Sequence, residues 1–70
     1  MELLQIQAIK KEIELKIELG DYVTLGKMLG VPQNTARMRF KRDNLKAVEA
    51  MKLLIESRDQ LIKSYKESLS

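Results

Sequence analysis

Gln33, Asn34, Arg37, Arg39, Lys41 and Arg42 stand in one short run of amides, guanidiniums and an ammonium. Side-chain amides and guanidiniums can each make two parallel hydrogen bonds to a base edge, whereas ammonium and guanidinium groups also suit phosphates. Gly30-Val31-Pro32 lies just before the run and reads as a tight turn. Before that turn, Tyr22 or Val23, Leu25, Met28 and Leu29 recur at helical spacing. Residues 22–42 therefore read as two short helices joined by a turn, with the polar run on the second.

No comparable set points to catalysis. Histidine and cysteine are both absent, which removes the usual neutral-pH base, thiolates, disulfides and the commonest metal ligands. The carboxylates are scattered among lysines, and neither a phosphate-cradling glycine loop nor a carboxylate cluster with metal spacing occurs. The expectation is a non-enzyme with no catalytic residue, metal site, cofactor or small-molecule ligand. Aromatic residues make up only 4% of the chain (Tyr22, Phe40 and Tyr65), too few for a surface that stacks single-stranded bases.

Charge placement reinforces the polar run. The net charge is +3, but residues 27–46 carry +5 (Lys27, Arg37, Arg39, Lys41, Arg42 and Lys46 against Asp43), leaving −2 for the other 50 residues. Such an asymmetry is the footprint of a polyanion-binding face, although a solvated basic helix would show it too.

The elements that must position this run are helical. Ile6, Ile9, Ile13 and Ile17 recur at spacings of three and four, and Glu12 and Lys16 form an i,i+4 pair, so a first helix is expected over 3–19, closed by Gly20. Ile13, Leu15, Ile17 and Leu19 also alternate as a strand would, so helix and strand both remain open for 13–19. Asp21 can cap the next helix, over 22–29, and Gly26 within it suggests close approach by another backbone. The following helix spans 33–42, with Ala36 and Phe40 facing inward. Asp43-Asn44 breaks the pattern and can cap a long last helix, from Leu45 to about Ser68, that lacks glycine and proline.

Residues 22–42 resemble the helix-turn-helix of small bacterial and phage transcriptional regulators. Gly26 matches the small residue of the first helix that contacts the second. Gly30-Val31 matches the turn, Thr35-Ala36 the pair beneath the recognition helix, and Phe40 its second inward anchor. Pro32 stands where serine is common, and Arg39 where an aliphatic residue is common. The resemblance implies a reader of double-stranded DNA. Gln33, Asn34, Arg37 and Met38 would then contact bases, and Lys27, Arg39, Lys41 and Arg42 phosphates.

The last helix implies a partner. Val48, Met51, Ile55, Ile62, Tyr65 and Leu69 approximate alternate core positions of a coiled-coil seam, interrupted at Arg58, which could pair with Asp59 or Glu56 across chains. A 70-residue chain buries a marginal core, and a second copy would enlarge it. The same stripe could instead fold back on the first helix of its own chain.

The expectation is therefore all-α: one domain of three short helices (1–20, then the helix-turn-helix over 21–42) and a long C-terminal helix over 44–69 used for dimerisation. Its expected function is sequence-specific binding of double-stranded DNA, as a homodimeric regulator of phage or mobile-element type. The alternative is a helical protein-interaction module, an antirepressor or assembly adaptor, with the helix-turn-helix as scaffold. A cytoplasmic location is expected, because neither a secretory signal nor an apolar run of membrane-spanning length is present.

Overall fold

The computed structural model describes residues 2–69; Met1 and Ser70 lie outside the described residues. It is all-helical, with α1 Leu3–Glu14, α2 Asp21–Leu29, α3 Gln33–Lys41 and α4 Leu45–Leu69. None of these helices is long and apolar enough to cross a membrane.

The isoleucine stripe of α1 does what its spacing demands: Ile6 and Ile13 are buried and Ile9 packs against the same core. The helix nevertheless stops at Glu14, five residues short of the expected end, and 15–20 is neither helix nor strand. The carbonyl of Lys16 accepts a hydrogen bond from Arg58 Nη2 at 2.7 Å, and the N–H of Glu18 donates to Asp21 Oδ2 at 2.7 Å. Local helix propensity is overridden by these tertiary and capping bonds. Lys16, beyond the helix, lies 3.8 Å from Asp59 rather than pairing with Glu12. Gly20 is left-handed (φ 93°), but it opens α2 instead of closing α1, and Asp21 is the first residue of α2 rather than its cap.

The core lies where α2, α3 and α1 meet the first half of α4. Leu25, Ala36, Phe40, Ala47, Val48, Met51 and Ile55 are its most enclosed residues. Tyr22 meets Phe40 edge-on, with ring centroids 6.1 Å apart, joining the start of α2 to the end of α3. Val48, Met51 and Ile55 were expected at a dimer seam. They are instead buried by their own chain, which corrects that half of the expectation. Beyond Arg58 every described residue of α4 is exposed. At 1.5 Å per residue the 25-residue rod is about 37 Å long, against a longest molecular dimension of 42 Å. Its last turns thus project past the body.

Candidate nucleic-acid interface

The α2–α3 turn sets the pose of α3. Gly30 takes the left-handed conformation (φ 69°), and its N–H and that of Val31 both donate to the Gly26 carbonyl, closing α2. Gly26 is itself buried, and a Cβ placed there would lie 2.8 Å from the Val31 carbonyl oxygen and 3.4 Å from the Gln33 amide nitrogen. The chain therefore turns back directly over the middle of α2, a close approach that glycine permits. Pro32 adopts extended backbone (φ −61°, ψ 154°) and its carbonyl accepts the first helical bond, from Ala36 N–H at 3.0 Å. No side chain caps this end, so the amides of Gln33, Asn34 and Thr35 are not consumed by a capping side chain.

Two residues clamp the inner side of α3, Ala36 and Phe40, both essentially inaccessible. Thr35 is half-buried on the flank. At 100° per residue, Asn34 and Met38 then point most directly away from the body, with Gln33, Arg37 and Lys41 on one flank and Arg39 on the other. Gln33, Asn34, Arg37, Met38, Arg39, Lys41 and Arg42 are all exposed, as is Lys27 on α2. Arg39 is thus a surface cation and not a core residue, in keeping with the register set by Ala36 and Phe40. None of these polar side chains is engaged in a hydrogen bond or ion pair among the described residues.

Asp43, the acid that follows α3 in the chain, is held by α1. Asp43 Oδ1 accepts from Lys10 Nζ at 3.1 Å and Asp43 Oδ2 from Gln7 Nε2 at 3.3 Å. Those hydrogen bonds, Lys10 first and then Gln7, hold the Asp43 carboxyl below its ordinary range. The same ammonium donates to the Lys41 carbonyl at 2.9 Å and lies 5.4 Å from the Phe40 ring centre. Lys10 therefore ties the C-terminal end of α3 to α1, and its charge complements the helix dipole there. Asp43 is left-handed (φ 60°), and Asn44 Oδ1 then caps α4 through the Ala47 N–H at 3.1 Å.

Sequence reasoning missed Lys10 and Gln7 as supports of this face. Their partners are more than 30 residues away in the chain, so no local pattern carries the signal. Lys46 is exposed in the first turn of α4. Of the six expected seam residues, Ile62, Tyr65 and Leu69 are exposed and the other three are core.

The chain matches no protein-family profile, no curated protein and no solved structure.

Proposed function

We propose that this protein is a sequence-specific binder of double-stranded DNA, a small dimeric transcriptional regulator of phage or mobile-element type acting in the cytoplasm. One observation carries the reading. The outer face of α3 combines exposed amides and guanidiniums that have no partner among the described residues, while Ala36 and Phe40 fix the opposite face to the body. Polar groups held on a rigid helix and left unengaged suit a groove that supplies their partners.

In this reading α2, its turn and α3 act as a helix-turn-helix. Gln33 and Asn34 bond to adenine edges, Arg37 to guanine O6 and N7, and Met38 touches a thymine methyl. Lys27, Arg39, Lys41 and Arg42 take phosphates, which set register without reading sequence. A mobility-shift assay comparing the native chain with Arg37→Ala and Lys41→Ala tests the assignment; unchanged binding by both removes α3 from the groove.

A second reading has one observation in its favour. Leu61, Ile62, Tyr65 and Leu69 form an exposed apolar stripe on α4, as a helical protein-interaction module would present. Weak, salt-insensitive duplex binding alongside a stable complex with a different helical protein selects it.

A further inference from the structure

The core-facing stripe of α4 does not end where the body ends. Met51 and Ile55 are enclosed, Arg58 is held by Asp21, and the same face continues as Ile62, Tyr65 and Leu69, with Leu61 beside it. These four side chains are 47%, 64%, 69% and 71% exposed for Ile62, Tyr65, Leu69 and Leu61 respectively. At helical spacing, one flank of this stripe carries Asp59 and, two turns on, Lys66, with Lys63 between them and further from the stripe. The other flank carries Ser57, Leu61, Ser64 and Ser68 and no charge.

This one-sided, opposite-signed flank identifies both an occupant and a direction. We infer that the distal half of α4 pairs with that of a second copy of this chain, antiparallel, about a two-fold axis near Lys63. In an antiparallel helix pair each flank faces the same flank of its partner. Asp59 of one copy then meets Lys66 of the other, twice over by symmetry. The same register sets Ile62 against Tyr65 of the second copy. A parallel pair would instead face the Asp59–Lys66 flank with the serine flank, leaving both charges uncompensated. The intramolecular contact of Asp59 with Lys16 is long, at 3.8 Å between half-exposed side chains, and leaves the carboxylate accessible to Lys66.

The direction of pairing also fixes the span. The part of α4 that enters the core centres near Met51, about twelve residues from the axis, so antiparallel pairing separates the two bodies by roughly 36 Å. That is close to one duplex turn, the spacing at which two recognition helices enter successive major grooves on one side. This match rests on the DNA-binding reading above; the pairing itself does not.

The native chain has no cysteine, so introduced thiols report on the pair cleanly. Under mild oxidation, a mixture of Asp59→Cys and Lys66→Cys chains should form the mixed disulfide dimer in preference to either self-linked dimer. Leu69→Cys alone should form none, since antiparallel pairing separates its two thiols by roughly 18 Å along the axis, far beyond disulfide reach. In sedimentation, Asp59→Lys should raise the dimer dissociation constant by about fivefold or more, and adding Lys66→Asp should restore it. A monomer at every concentration, or efficient self-linking of Leu69→Cys, overturns the inference. No DNA is present in these measurements. A correctly linked dimer that fails to bind duplexes counts against the DNA reading alone, and a monomer that binds them counts against the pairing alone.

Discussion

Nη1 of Arg58 donates to both carboxylate oxygens of Asp21, at 2.7 and 2.8 Å, linking residues 37 apart in the chain. Arg58 Nε also lies 2.9 Å from Glu18 Oε2, and Nη2 reaches the Lys16 carbonyl. One guanidinium thus gathers the 15–20 segment, the start of α2 and the middle of α4, and the bond to Asp21 strengthens its hold on its proton.

Removing Arg58 leaves the carboxylate of Asp21, buried in α2, without its cation. Arg58→Met should therefore lower stability by about 2–4 kcal/mol, the upper part of the range being reduced because the guanidinium is partly solvated. Asp21→Asn should cost less, because the amide oxygen still accepts. Urea denaturation of both single variants and the double variant checks this, and the double should be less destabilised than the sum.

Gly26→Ala should destabilise despite improving helix propensity. The propensity gain is about 1 kcal/mol, whereas the new Cβ meets the backbone oxygen of Val31, which cannot rotate away; overpacking of this kind typically costs about 1–3 kcal/mol. Gly26→Val should be worse. Thermal melts followed by circular dichroism give the order.

Acid should loosen the junction of α1 with the α3–α4 turn. The Asp43 carboxyl is held below its ordinary value of 3.8 by Lys10 and Gln7, so its contribution is fully present above that value and is lost as pH falls through the lowered one. The native chain should lose stability on acidification in this window, and Asp43→Asn should lose less. Denaturation midpoints between about pH 2 and 5 distinguish them.

The proposed base and phosphate contacts should separate by their response to sequence and salt. Arg37→Ala should cost about 1–3 kcal/mol on the preferred duplex and relax the preference at one base pair. Lys41→Ala should weaken all duplexes similarly and lower the slope of log affinity against log salt by about 1. Fluorescence anisotropy on matched and single-substituted duplexes, over a salt series, reads both.

The α2–turn–α3 segment was legible because its signals are local. Gly26, Gly30 and Pro32 dictate the turn, and Ala36 and Phe40, four apart, dictate the inner face. The end of α1 was not legible, because Ile17 keeps the helical spacing while the bonds that stop the helix come from Arg58 and Asp21. Arg58 itself looked like a break in a seam between chains, yet its partners lie in its own chain. Val48, Met51 and Ile55 show the same ambiguity. An apolar stripe states that a face is covered, and the surrounding fold decides whether the cover is the same chain or another. For the exposed face of α3, chemistry was legible residue by residue, but its lack of partners among the described residues was not: Lys10 and Gln7, far away in sequence, are what hold Asp43.

Whether α3 reads a DNA duplex is decided by selection from a randomised duplex pool with the purified chain at near-physiological salt. The expected outcome is an enriched, two-fold symmetric motif whose half-sites lie about one helical turn, 10–10.5 base pairs, apart, and loss of one preferred position in each half-site with Arg37→Ala. Recovery of no motif, or of the same motif by the native chain and Arg37→Ala, contradicts it.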